Sequence, residues 1–278
     1  MRAFRVAYDG TPFFGYQRQP DVPTVEDALF DALRELDVLP VDAASPSGYA
    51  AAGRTDAGVS ATHQTIALEA PDWLTPRAFS AALPPSIQVW ASAQAPEDFH
   101  ATHHAIRREY TYHLHAPPLG EGGEFANGVD DERFGAALEA LSGPADFHNL
   151  TPDDHNTDRA PQLSATRDGE YLVVTVAAGG FARELVRRLV SLAHAVGAGV
   201  EPLEKVDRTL APEPLPGHEG IAPAPPEPLV LTHVEYPERT FEIDEVAASS
   251  ARELFEGDRL ERRTGARISR ALRDGLRE

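Results

Sequence analysis

Residues 171–196 read YLVVTVAAGGFARELVRRLVSLAHAV, and the order of events inside them decides the class of fold. The first part is rich in β-branched residues and predicts a strand over 171–177. Gly179 and Gly180 then break it. Beyond the break Leu185, Leu189, Leu192 and Val196 recur at helical spacing, which predicts a helix over 181–196 with one buried stripe. Glu184 stands one turn before Arg188 and suits an ion pair with it. Arg187 sits beside the stripe, where a guanidinium wants a buried carboxylate partner. A glycine-rich turn entering a helix is able to cradle phosphate. These glycines match neither a P-loop nor a dinucleotide fingerprint, so no nucleotide cofactor is expected.

Outward from this unit, strands and helices do not alternate one for one. Over 2–8 Phe4, Val6 and Tyr8 share one face, and Asp9-Gly10 ends what reads as a half-buried strand. Thr24 with Asp27 resembles a capping box, followed by Val25, Leu29, Leu33 and Leu36 at helical spacing. Further strands are predicted over 47–52, 64–69, 88–93, 109–115 and 229–234, and further helices over 77–83 and 131–141. A Pro-rich loop over 211–228 precedes the last clear strand. Strands outnumber helices, which predicts an α+β fold with a mostly antiparallel sheet.

Composition narrows the function. The 278 residues are 42% hydrophobic, enough for a real core. The absence of cysteine removes disulfide scaffolds, cysteine nucleophiles and thiolate metal sites. No leader pattern and no membrane-length apolar run is present, so a soluble, cytoplasmic protein is expected. Formal net charge is −19, and Lys205 is the only lysine. Such a balance argues against a polyanionic partner in dilute salt. At molar ionic strength the Debye length is only about 3 Å, and the same surface then reads as halophilic. From Val246 onward the charge reverses: eight arginines face six acidic residues, leaving −21 on the rest. A solvated helical face laced with ion pairs accounts for that tail.

Three groups of residues carry candidate chemistry. In Gly53-Arg54-Thr55-Asp56-Ala57-Gly58 the glycines permit close backbone approach to one carboxylate, although any turn favours the same residues. The histidines His100, His103, His104, His113 and His115 form a second group; His113 and His115 would share a strand face, as a two-histidine metal site needs. No carboxylate stands at ligand spacing, so no metal is expected. The segment 151–159, TPDDHNTDR, is explained as well by a polar loop as by a metal site.

Five motifs in order, YDGTPFFGYQRQ (8–19), AAGRTDAGVSA (51–61), DFHATHHAIRREYTYHLH (98–115), GGFARELVRRLV (179–190) and PLVLTHVEY (228–236), resemble those of the tRNA pseudouridine synthase A family. The resemblance runs over about 2–236. It implies a pseudouridine synthase fold, in which two related α/β halves form one extended, mostly antiparallel sheet with a central cleft. The corresponding division is 1–104 carrying Asp56, 105–242, and an Arg-rich helical tail over 243–278. It implies a homodimer that grips tRNA and acts on the 3′ side of the anticodon stem-loop.

Residue by residue, the resemblance makes Asp56 the catalytic aspartate and Tyr110 the ring that stacks on the target uracil and helps remove its C5 proton. Arg187 pairs with the aspartate, and Arg54 helps to hold the flipped nucleotide. Phe99, His100, Ala101, Thr102 and His103 occupy an RNA-contacting segment. An arginine beside Asp56 is expected to lower its pKa by about 1 to 3 units. No cofactor is implied. Tyr16, Ser60 and Thr102-His103 depart from the commoner family residues, and Glu109 places an acid next to Tyr110. Two other readings remain open: a metal-dependent hydrolase built on the histidines, and a non-catalytic RNA-binding module.

Overall fold

A computed structural model describes residues 1–119 and 128–276; the last two residues of the expected tail lie outside the described residues. In chain order the elements are β1 (Arg2–Tyr8), α1 (Val25–Glu35), β2 (Ala50–Ala51), β3 (Ser60–Leu68), α2 (Pro76–Ala81), β4 (Ile87–Gln94) and β5 (Arg107–His115). They continue with α3 (Asp131–Ala140), β6 (Ala145–Asp146), β7 (Asp158–Arg159), β8 (Gln162–Asp168), β9 (Tyr171–Ala178), α4 (Leu185–Gly197) and α5 (Glu204–Thr209). The last are β10 (Leu229–Glu235), β11 (Glu242–Ile243) and α6 (Glu245–Asp274).

One sheet runs in the order β11-β4-β1-β3-β10-β5-β9-β8, with β2 also on β3. Every pairing in it is antiparallel except β3 with β10. That parallel joint is short, Ser60 opposite Val230 and Ala61 opposite Leu231. Further along, the same edge of β3 takes β2 at Ile66 and Ala67. Two strands thus diverge from one edge, and the loop carrying Asp56 crosses between them. The fold is the expected α+β type with a mostly antiparallel extended sheet.

Each side of the joint has its own core. Phe4, Leu29, Leu33, Ile66, Phe79 and Val89 pack together on one side, and Phe134, Leu138, Val174, Val176, Leu185 and Leu189 on the other. The two are stitched across the joint: Leu231, Val234 and Tyr236 join the first core, while Val59 joins the second. β11, near the C-terminal end, pairs with β4 at the N-terminal edge of the sheet.

Local departures from the sequence reading have identifiable causes. β1 is buried at all seven positions rather than on one face. Arg5 is covered because its guanidinium donates to Thr65 Oγ1 (2.7 Å) and the Val234 carbonyl (2.8 Å) and lies 4.1 Å from the Phe241 ring. α4 begins at Leu185 rather than 181. Glu184 takes a left-handed conformation (φ 61°), and Arg183 is pulled out of helix by its N–H donating to Asp153 Oδ2 at 2.8 Å. β8 was not legible because its residues are mostly exposed and carry no apolar alternation. The capping box is as expected, Thr24 Oγ1 accepting from the Asp27 N–H at 3.2 Å.

Candidate active site

The loop 53–58 is held from below by its neighbours. Thr55 is buried, its hydroxyl 2.8 Å from that of Tyr8, and its carbonyl accepts from the Tyr16 N–H at 3.0 Å. Tyr16 is itself buried, with its hydroxyl 2.6 Å from that of Tyr49. Gln64 Nε2 donates to the Gly53 carbonyl at 2.9 Å. The two glycines differ in purpose. Gly58 has φ +80° and backs onto Pro226, whose Cγ would lie 3.2 Å from an added Cβ. Gly53 is not strained; a Cβ there would lie 3.9 Å from the Tyr110 hydroxyl.

These anchors present Asp56 to Arg187, 131 residues away in sequence. Arg187 Nε and Nη2 both reach Oδ2, each at 3.1 Å. Among the described residues Oδ1 has no hydrogen-bond partner, so one carboxylate oxygen is gripped and the other is open. Arg187 Nη1 donates to the Ala224 carbonyl at 3.0 Å, which fixes the plane of the guanidinium. Glu184 pairs with Arg188 at 2.6 Å as the sequence suggested, and also approaches Arg187 at 3.5 Å.

The charge balance at Asp56 corrects one expectation. Its pKa is raised, not lowered. Burial is the largest cause; the opposing pull of Arg187 comes second, and Glu184 adds a further push upward.

Tyr110 lies on β5, its ring edge-to-face with Phe181 at 5.3 Å between centroids. Burial, then the Asp56 charge, push its phenol up to about 12. Along β5 the side chains alternate. Glu109 is therefore on the opposite face from Tyr110, paired with Arg107 at 3.0 Å. Arg54 is exposed and makes no ion pair among the described residues.

Arg108, one residue before that pair of acid and ring, is a part of the site that the sequence reading passed over. It is buried without a carboxylate partner. Its guanidinium donates instead to four carbonyl oxygens: Ala52 (2.8 Å), Thr102 (2.6 Å), Ala105 (3.1 Å) and Gly179. One side chain thus ties together the loop before Asp56, the segment around 102 and the loop leading to α4. A signal existed, since an arginine on the same strand face as Tyr110 and Tyr112 has to be satisfied somehow. Its partners are backbone atoms, which leave no trace in sequence.

The segment expected to contact RNA splits in two. Phe99 and Ala101 are core residues, Phe99 packing against Tyr236 and His104. Thr102 and His103 are exposed and His100 is half-buried. Thr102 is oriented by its hydroxyl donating to the Ala51 carbonyl at 2.6 Å. The histidines do not converge: His100 stacks near His103 at 4.1 Å, whereas His115 pairs with Tyr171. Among the described residues no group of three or more His, Asp or Glu side chains is arranged to hold a metal ion. Asp153 of the 151–159 loop serves to anchor Arg183. No helix of the described residues is long and apolar enough to cross a membrane.

Comparison with known proteins places this geometry. A family model described as tRNA pseudouridine synthase matches residues 137–237. The tRNA pseudouridine synthase A of Haloarcula marismortui is 56% identical, over 99% of this chain and 100% of its own length. That of Halobacterium salinarum is 52% identical over 96% of this chain and 97% of its own. That of Methanosarcina mazei is 36% identical over 85% of this chain and 84% of its own. Likeness of this extent means that the chain belongs to the tRNA pseudouridine synthase A family.

Proposed function

We propose that the chain is an isomerase that converts uridine to pseudouridine on the 3′ side of the tRNA anticodon stem-loop, using Asp56 as its catalytic carboxylate. The observation that carries this reading is Asp56 itself, gripped through Oδ2 by Arg187 and open at Oδ1, beside the Tyr110 ring. The reaction breaks the N1–C1′ bond, turns the uracil and joins C1′ to C5. The proton lost at C5 is balanced by one gained at N1, so the chemistry requires no metal, redox or nucleotide cofactor.

Reaching the base requires flipping it out of the stack, at roughly a few kcal/mol. Tyr110 returns part of that by stacking, about 1 to 3 kcal/mol per base in single-strand binders. With its phenol near 12, Tyr110 is a ring surface and a hydrogen-bond donor at neutral pH; removal of the C5 proton through its oxygen needs the phenolate, which this site disfavours. Arg187 orients Asp56, Arg54 contacts a phosphate of the flipped nucleotide, and His100, Thr102 and His103 meet the RNA at the rim. The working form is a cytoplasmic homodimer. Pseudouridine mapping on an unmodified tRNA transcript tests the substrate: product confined to the 3′ side of the anticodon arm is expected, and product elsewhere or none defeats the assignment.

A further inference from the structure

α6 is anchored at its beginning and free over the rest. Ala247, Ala248 and Ala251 are buried in its first two turns, whereas every described residue from Arg259 onward is exposed. That free part, 259–274, extends for about 24 Å at the helical rise of about 1.5 Å per residue. Arg252, Arg259, Arg263 and Arg270 follow one another at offsets close to two, three and five whole turns from the first, so they share one face. All four are exposed. Arg259 pairs with Glu256 at 2.7 Å; among the described residues Arg252, Arg263 and Arg270 have no ion pair. The acids Glu253, Asp258 and Glu261 lie off this face; Glu256 and Asp274 lie within about 40° of it, paired with Arg259 and Arg273.

The position of the stripe is as informative as its charge. Arg262 is ion-paired with Asp9, in the loop after β1. That loop lies directly against the candidate site: the Gly58 N–H donates to the Phe13 carbonyl at 3.2 Å and the Gly10 N–H to Ser60 Oγ at 3.0 Å. The helix is thereby held beside the loop that carries Asp56. On a chain of net charge −19 a dense face of arginines fits a polyanion, and phosphodiester groups suit the guanidinium fork.

We infer that the arginine face of α6 binds the phosphate backbone of the substrate tRNA, outside the stem-loop that enters the cleft. This rests on the tRNA pseudouridine synthase reading. The stripe supplies orientation and affinity, not base selection.

The test uses the full chain carrying R252Q, R259Q, R263Q and R270Q together, with tRNA transcript between 1 and 3 M KCl. Expected at the lower salt are a rise of about tenfold in Kd and KM with kcat held within about twofold, and a plot of log Kd against log salt shallower by roughly 0.7 per contacting arginine. Four lysines at the same positions are expected to restore most of the affinity. Unchanged Kd and slope overturn the inference. A loss of affinity accompanied by conversion of a dimer to a monomer in sedimentation also overturns it, because the face then serves a second copy of the chain. Wild type inactive on tRNA would strike the underlying reading instead, and is seen separately in the same assay.

Discussion

Asp56 carries two opposed influences, and their balance is measurable. Burial holds its pKa above the ordinary carboxylate range and Arg187 pulls it down. Because the ionised form does the chemistry, the acid limb of kcat/KM should lie above that of an ordinary aspartate. Arg187→Gln removes the lowering influence and should move the limb to still higher pH. Glu184→Gln removes a raising one and should move it lower; a limb indifferent to both contradicts the electrostatic account. Arg108 makes the second residue-scale prediction. Arg108→Met leaves the buried carbonyls of Ala52 and Ala105 without a donor, at about 1 to 3 kcal/mol for each that stays dry. A loss of at least about 2 kcal/mol of stability in denaturant titration is expected, together with reduced kcat. At this scale the sequence was half legible. The need of Arg187 for a buried carboxylate followed from its place beside the α4 stripe, but the sign of the Asp56 shift did not, because desolvation depends on what surrounds a group in space.

Elements show where periodicity suffices and where tertiary contacts override it. β9, the glycine break and α4 were readable because their apolar residues fill a core at fixed spacing. The start of α4 was not, because Asp153 and Thr151, thirty residues earlier, hold Arg183 out of the helix. The turn at Gly58 is likewise set by both conformation and neighbours. Gly58→Ala places a Cβ at positive φ and against Pro226, so a loss of about 1 to 2 kcal/mol is expected in thermal or denaturant unfolding. The distal part of α6 should behave oppositely. Among the described residues, truncation after Asp258 removes only exposed ones, with the surface pairs Arg262–Asp9 and Arg259–Glu256, each worth about 0 to 1 kcal/mol. Its Tm should stay within a few degrees of the full chain; a large drop would show packing that the exposed helix lacks.

For the whole molecule, charge is the dominant feature. A surface at −19 repels itself in dilute buffer and is screened as the Debye length falls from about 10 Å at 0.1 M to about 3 Å at 1 M salt. The relatives from Haloarcula and Halobacterium fit this halophilic balance. Tm should therefore rise steadily with KCl into the molar range, and a flat or falling profile contradicts a salt-adapted surface. The division of the sheet around the β3–β10 joint was legible only through the family motifs. Nothing in the local pattern of Val230 and Leu231 says that they pair in parallel with a strand 170 residues earlier. Asp56, Tyr110 and Arg187 lie together near this joint, so the molecule as a whole stands or falls with the role of that carboxylate. The most direct measurement is release of tritium from C5-labelled uridine in unmodified tRNA at molar KCl, wild type against Asp56→Asn. The account predicts release by the wild type and a rate lower by at least about a hundredfold in the variant; equal release by the two would contradict it.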